Sequence, residues 1–427
     1  MATNRTFQNM LNDYLANDLL KEELVKRDFL LTRVEKDDGW IGVSGVNGAN
    51  GGALIVPFKG AGASSVSYGS LTASNDIAQD IYVRGQISQQ PELWASMIFN
   101  HRDLMEHDKV SEKNFLKILP DTVDDFMDYV KNVVSVNLLN GAAFAKATAL
   151  SSSAAGLVVV DRPDRFVIGQ KVIVQNNVPA FVTGYIKSIN INTSTVEIVT
   201  TRGGVTPVSF AVNNVGIGRG FYNDGAQTAP FSSLRDALLS AANGGSASLY
   251  GVTKLDYPYT QAININGATM TQLNILKQIF QAYTVTRKIG KGAPTDVVMS
   301  YDNFGYCMAL IEASKGAFNV VPNSKKASVY GWTEIRIGTV TNQELTLIGV
   351  QEMDNDIIMF LDWRAIKFYS NGFFRKRKNP EGLEYYEDRL TTGFVYIVDI
   401  CLFGDIVVNR PSYCGIIYGI PTTMPAS

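Results

Sequence analysis

The segment GGALIVPFKGAGASSVSYGSL, residues 51 to 71, narrows the possible folds more than any other stretch of the chain. Ile55 and Val56 follow Leu54; after a proline and a Gly/Ala/Ser tract, Val66 and Tyr68 alternate with small residues. Alternation of this kind gives a strand one apolar face. The later run IAQDIYVRGQI sets Ile77, Ile81, Val83 and Ile87 on one face, interrupted by Gln79, with Tyr82, Arg84 and Gln86 on the other. The two runs predict a long two-stranded β-ribbon. A lone hairpin is marginal in water, so a ribbon projecting from a domain needs an apolar partner. Too apolar for a flexible linker, the tract is expected to touch other copies of the same chain.

Composition agrees with a surface that is largely covered. The 427 residues are 46% hydrophobic and only 18% charged, against about 25% charged in typical soluble domains. A chain of this length holds roughly two or three domains. With 38 basic and 40 acidic residues the net charge is −2, so no global field draws in nucleic acid or an anionic membrane. Cys307, Cys401 and Cys414 are odd in number and lack C-x-x-C spacing, which argues against a disulfide framework or a zinc site and predicts buried thiols. No apolar run approaches the ~18 residues of a membrane helix, and MATNRTFQNMLNDYLAND lacks the apolar core of a signal peptide. A reduced, cytoplasmic protein is expected.

Along the chain, Phe7, Met10, Leu11, Tyr14, Leu15, Leu20, Leu24 and Val25 recur at helical spacing and predict an amphipathic amino-terminal arm. Pro91 stands where a helix could begin, with Leu93, Trp94, Met97 and Ile98 as its apolar face. A stronger helix is predicted from Asp121, a candidate N-cap, to Gly141, with Val123, Phe126, Met127, Val130, Val133, Val134 and Leu138 as its stripe. ATALSSSAAG (147 to 156) reads as a linker. Short β-type runs between turn residues then predict a small all-β barrel or sandwich from 156 to about 218. Helices around 234 to 242, 270 to 287 and 306 to 313 follow, with Leu273, Leu276, Ile279 and Phe280 on the stripe of the second. The strands DVVMS, WTEIRIG, LTLIGV, DIIMFLDW, AIKFYS, FVYIVDICLFGDIVV and CGIIYGI complete the pattern.

Motifs for catalysis are weak. HRDLMEHD (101 to 108) resembles a kinase catalytic loop, but Asp108 stands where an Asn is required, and neither a glycine-rich loop with its lysine nor D-F-G accompanies it. His101 and His107 are six apart, whereas paired helical metal ligands prefer four, so they read as surface histidines. DND (354 to 356) reads as a turn, and GKGAP lacks phosphate-loop spacing. No catalytic, cofactor-binding or metal-ligating residue is predicted. Arg375, Lys376, Arg377 and Lys378 form a basic run. Folding at NPEG (379 to 382) would set Arg377 opposite Glu384, with Glu387 and Asp388 nearby, as a salt-bridged β-ribbon. Such clusters can also bind phosphate, so nucleic-acid binding is the alternative reading, and contact with an acidic patch on a neighbour is a further expectation.

The order of these parts resembles the major capsid proteins of tailed bacteriophages, which share the Hong Kong 97-type fold. The resemblance lies in the arm, the ribbon from GGALIVPF to YVRGQI, a long helix ending in NLLNG, and the run from WTEIRIG through IIMFLDW to AIKFYS. It implies an α+β chain with an arm (1–38), an extended β-ribbon loop (39–90) and a peripheral domain with a spine helix (91–155). An inserted small all-β domain (156–220), an axial domain (221–360) and carboxyl-terminal strands returning to both domains (361–427) follow. It implies a non-enzymatic structural protein of the virion, assembled in the host cytoplasm through hexamers and pentamers into an icosahedral shell. Implied partners are other copies of itself, with scaffold, portal and decoration proteins. Packaged double-stranded DNA would be contacted weakly and without sequence specificity, and no membrane is involved. The subunit-interface residues it implies are Phe58, Lys59, Val66, Tyr68, Leu71, Ile81, Val83 and Arg84 on the ribbon, with Arg375, Lys376, Arg377 and Lys378. An encapsulin-like nanocompartment shell and a β-rich phage tail or adhesion protein are the alternatives.

Overall fold

The computed structural model describes residues 24, 28–37, 54–59, 82–87, 91–100, 112–149, 156–175, 181–208, 215, 218–224, 226, 231–313, 333–338, 344–370, 374–377, 386–390, 393–421 and 424–425. The chain forms two compact units, one built from residues 1–135 and 234–427 and the other from 136–233. The boundary falls within the long helix Glu112–Asn140.

A six-stranded mixed sheet carries the main core of the first unit. Its order is Ile263–Asn266, Gly415–Tyr418, Ile357–Leu361, Asp296–Met299, Glu344–Gly349, Thr333–Gly338. The central runs DVVM and IIMFL are buried along their whole length, as expected for strands covered on both faces. Helices Ile275–Gly290 and Tyr301–Ala313 bury Ile279, Tyr283, Phe304 and Cys307 in one cluster with Val297, Leu347 and Phe360. Predicted strands in this region appear where their β-branched runs placed them. The first helix, however, begins after Leu273, which stands exposed, and the second begins at Tyr301, five residues ahead of its predicted start. All three cysteines are buried free thiols, and burial pushes each up to about 12.

The segment after Pro91 is a correction. Glu92–Asn100 is a strand, paired antiparallel with residues 395 to 403 of the central strand Gly393–Phe403. Leu93, Ala95 and Met97 turn inward by period two while Glu92, Trp94 and Ser96 stay exposed; the ladder of hydrogen bonds outweighs a short run that also fits helical spacing. The basic segment is a second correction. Phe374–Lys376 pairs with residues 400 to 402 of that same central strand, and Tyr386–Leu390 pairs with 393 to 397, both on the edge opposite Glu92–Asn100. The two segments therefore lie end to end rather than face to face. Arg377 lies 3.5 Å from Asp399, while Glu384 and the side chains of Glu387 and Asp388 fall outside the described residues.

The long helix starts at Glu112, nine residues before its predicted start, with Pro120 inside it, and ends as predicted before Gly141. A proline there removes one backbone bond without ending the helix. Val123, Met127, Val130 and Val134 are buried, while Asp124, Asp125, Asp128, Tyr129 and Asn132 share the exposed face.

In the second unit six antiparallel strands run in the order Ala143–Lys146, Gly220–Tyr222, Lys171–Gln175, Phe181–Asn190, Thr195–Val199, Leu157–Val159. A bridge between Ala147 and Val160 joins the first strand to the last and closes a barrel. Closure removes free sheet edges. The first strand precedes the predicted start of the β-rich segment at 156. Inside, Phe166 packs edge-on against Phe144 at 4.9 Å and Phe221 at 5.3 Å between centroids, among Val172, Ile186, Val196 and Ile198.

Candidate assembly surface

The predicted ribbon exists at its base. Leu54–Lys59 pairs antiparallel with Tyr82–Ile87, Leu54 opposite Ile87 and Lys59 opposite Tyr82. Leu54, Val56 and Phe58 alternate inward and are buried, whereas Ile55 (43% exposed), Pro57, Arg84 and Gln86 form the outer face. Tyr250 covers the Phe58 end of that inner face. Its ring lies stacked on Phe58, 5.9 Å between centroids and 8° from parallel, and its carbonyl accepts from the Gln86 N–H at 2.8 Å. Gly85 is required at this crossing, because a Cβ there would stand 2.8 Å from Phe58 Cε2 and 3.0 Å from Tyr250 Cβ.

Tyr250 reaches the ribbon from the tip of a tight hairpin, Ser248–Leu249 with Val252–Thr253. Both turn residues have positive φ, 50° at Tyr250 and 80° at Gly251, the geometry of a two-residue turn that matches strand twist. A bulky residue in that region is unusual, and it is held by its hydroxyl, which donates to the Ile406 carbonyl (3.3 Å) and accepts from the Val408 N–H (3.1 Å). Burial pushes that hydroxyl above the ordinary phenol value. Beyond the hairpin, the buried Lys254 ammonium donates to the carbonyls of Asp236 (2.7 Å) and Leu239 (2.6 Å), ending the helix Leu234–Leu238. Burial lowers its pKa to about 8.

Residues 28 to 37 are fastened to the same unit at three points. Asp28 caps the helix Phe29–Arg33, accepting from the Leu31 N–H at 2.8 Å, and its second oxygen accepts from the Ser135 hydroxyl on the long helix. Burial raises its pKa, with those two bonds opposing. Arg33 Nη1 (2.8 Å) and Trp363 Nε1 (2.5 Å) both donate to Asp296. Glu35–Asp37 pairs in parallel with Ile366–Tyr369, where Lys367 lies 3.2 Å from Glu35. Most of the predicted arm helix, residues 7 to 25, lies outside the described residues.

A second surface lies on the outer face of the sheet built on Gly393–Phe403. Trp94, Cys401 and Arg375 stand side by side across three strands. Trp94, 51% exposed, meets Phe403 edge-on at 6.4 Å, and the Arg375 guanidinium sits 5.2 Å over the same ring. One step along, Ser96 donates to Asp399 at 2.6 Å beside Arg377. Two arginines are thus held on one exposed face.

Of the predicted interface residues, Phe58 is corrected: it is fully buried within its own chain, because Tyr250 supplies the apolar partner that the sequence assigned to a neighbour. Val83, opposite Phe58, is half-buried, and Arg84 is exposed on the outer face. Arg375 and Arg377 are exposed. Lys59 and Lys376 lie on strands, but their side chains, like Val66, Tyr68, Leu71, Ile81 and Lys378, fall outside the described residues. So do His101 and His107. DND forms the predicted turn but also binds Arg235, at 2.9 Å from Asp354 and 2.6 Å from Asp356. Among the described residues no three His, Cys, Asp or Glu side chains are grouped to hold a metal, and no helix is long and apolar enough to cross a membrane.

No protein-family model matches the chain, and no curated protein does. Solved phage and particle capsids are similar to it in structure. The capsid asymmetric unit of cyanophage A-1(L) shares 10% identity at a TM-score of 0.43, covering 91% of this chain and 90% of that one. The capsid of a native GTA particle shares 9% identity at a TM-score of 0.44, covering 92% and 90%. An encapsulin complex from Synechococcus elongatus is similar over 38% of this chain and 55% of that one, at 10% identity and a TM-score of 0.24.

Proposed function

We propose that this chain is the major capsid protein of a tailed phage, assembling through hexamers and pentamers into an icosahedral shell around double-stranded DNA. The observation that carries this reading is the ribbon clamped at its base. Tyr250 fixes where the two strands leave the body. The sequence between them, residues 60 to 81, has no Lys or Arg and carries Val66, Tyr68, Leu71, Ile77 and Ile81. Burying such a segment between copies stabilises by roughly 25 cal/mol per Å² of apolar area before ordering costs. Many weak repeated interfaces of this kind close a shell.

In this reading the first unit supplies the peripheral and axial domains, the long helix is the spine, and the barrel is an inserted domain. Near-neutral charge suits a wall that must not grip its DNA. Scaffold, portal and decoration proteins are the further partners, assembly takes place in the host cytoplasm, and no step calls for a catalytic residue. The test is negative-stain electron microscopy with light scattering on the purified chain, alone and with a co-expressed scaffold. Shells, hexamers or pentamers are expected. Deleting residues 60 to 70 should leave a folded monomer that forms none; unchanged shells from the deletion would refute the ribbon's role.

A further inference from the structure

We infer that the basic surface where the helix Ile275–Gly290 ends against residues 410 to 413 is a contact for the phosphate backbone of DNA, made by Lys288, Lys291 and Arg410 with Arg287 and Arg364 beside them. This rests on the capsid reading, which encloses DNA, and names where each copy touches it. The chain is pressed together here: a Cβ on Gly290 would overlap the Ser412 carbonyl, and one on Gly292 the Tyr413 carbonyl. Lys291, between those glycines, is exposed, as is Lys288 three residues before it. Arg410 lies over the Tyr413 ring, 5.3 Å from its centroid, and reaches the hydroxyl at 3.4 Å. Asp362 holds Arg364 at 2.6 Å and accepts from the Ala293 N–H at 3.0 Å, which ties that arginine to the same crossing. Arg287 donates to the Tyr283 hydroxyl at 3.2 Å.

Cations in the last turn of a helix offset its dipole, and that accounts for Arg287 and Lys288. It does not account for Lys291 beyond the helix, nor for Arg364 and Arg410 from other segments. The carboxylates of this neighbourhood are Asp362, already engaged by Arg364, and Asp256, ahead of the turn Pro258–Thr260 that packs on residues 411 to 413. Five cations against these two carboxylates leave the surface positive, in a chain whose net charge is −2. Because Arg410 covers the Tyr413 ring, the surface offers charge rather than a stacking plane, and charge alone contacts the backbone without reading the bases. A few such contacts per copy bind weakly and release with salt.

Fluorescence anisotropy of the full chain with two short DNA duplexes of unrelated sequence gives affinity against salt. About four phosphate contacts predict a log–log slope of about −3 to −4, the same for both duplexes. Two variants are made, one with Lys288→Gln and Lys291→Gln, the other adding Arg410→Gln. Each should keep the urea midpoint, lower the slope by about 0.9 per residue replaced, and bind about ten-fold or more weakly at about 50 mM salt. Should Arg410→Gln disturb folding, the double variant carries the test, since both of its lysines are exposed. Lys171→Gln, on the barrel, should change nothing. No binding by the unaltered chain at about 50 mM salt, an unchanged slope in the double variant, or an equal fall in Lys171→Gln overturns the inference. A preference of about ten-fold for one duplex would mean base readout and overturns it too. So does DNA binding kept by the variants alongside lost binding to phosphatidylserine vesicles, which would assign the surface to a membrane. Negative-stain microscopy of the same samples separates the two ideas: shells from the unaltered chain, with an unchanged slope in the variants, sink this contact alone. A slope that falls in the variants, without shells under any condition, keeps the contact and sinks the capsid reading.

Discussion

The ring of Phe58 lies nearly parallel to that of Tyr250, 8° apart with centroids 5.9 Å distant, and this pair joins the ribbon to the body of the chain. Each residue is placed by a different device: Phe58 by strand alternation, Tyr250 by a turn that forces its backbone to positive φ. Removing the ring in Phe58→Ala should cost about 3–5 kcal/mol. Tyr250→Phe keeps the stack but leaves the Val408 N–H without its acceptor, at about 1–3 kcal/mol. Gly85→Ala, by overpacking the crossing, should cost about 1–3 kcal/mol. Urea unfolding measures all three, and limited proteolysis should show the ribbon cut first in Phe58→Ala. An unaltered ribbon digestion pattern in that variant would show that the stack does not hold it.

Asp28 is buried with its carboxyl raised by burial. A raised carboxyl binds its proton more tightly folded than unfolded, so its contribution is most favourable below the ordinary value of 3.8 and declines as pH rises through the higher folded value. Asp28→Asn keeps an oxygen for the Leu31 N–H, and its amide can donate to the Ser135 hydroxyl. Relative to the unaltered chain, this variant should gain stability as pH rises from about 4 to 7. A difference in midpoint that stays constant with pH would show that burial does not raise the Asp28 carboxyl.

How much of this could be read from the sequence depends on how local the cause was. The ribbon base, the carboxyl end of the long helix and the central strands follow from alternation and β-branching within a few residues, and they were legible. Pro91 to Ile98 was not, because Leu93, Trp94, Met97 and Ile98 fit a short helix as well as a strand, and a ladder to residues some three hundred positions away decides between them. The predicted face-to-face pairing of the basic segment with the acidic one failed for the same reason: NPEG suggests a hairpin, but the central strand claims both arms. Tyr250 was missed because its local signal is weak. Only Gly251 marks a turn there, since a tyrosine is unusual at the positive φ of the preceding position, and nothing local says that the tyrosine ring will lie against Phe58.

Lys254 is a buried ammonium whose pKa falls to about 8 from 10.5. Burial disfavours the charged form, so the cost of keeping it charged is fully present below about 8 and is relieved as pH climbs toward 10.5. Against a Lys254→Met variant, which has no such proton, the unaltered chain should gain stability across that interval. The comparison must be made as a difference between the two, since other lysines and tyrosines titrate there as well. Met also leaves the carbonyls of Asp236 and Leu239 without their donor, so the variant should be less stable at every pH. A flat difference between pH 8 and 10.5 would show that Lys254 stays charged in the fold.

The barrel should fold without the rest of the chain. Among the described residues its sheet closes on itself, because the bridge between Ala147 and Val160 joins first strand to last, and its core draws on residues from Val136 to Phe221. A fragment of residues 136 to 233 therefore contains the whole closed sheet and every side chain of that core. Cooperative urea unfolding of the fragment is the expected result. Phe166 holds the centre, edge-on to both Phe144 and Phe221, and Phe166→Ala should cost about 3–5 kcal/mol there. In the full chain the same substitution should lower the transition of this unit and leave the unfolding of the first unit near its original midpoint. If one shared transition moved instead, the two units would be a single cooperative body, and the barrel would owe its stability to the surrounding chain rather than to its own closure.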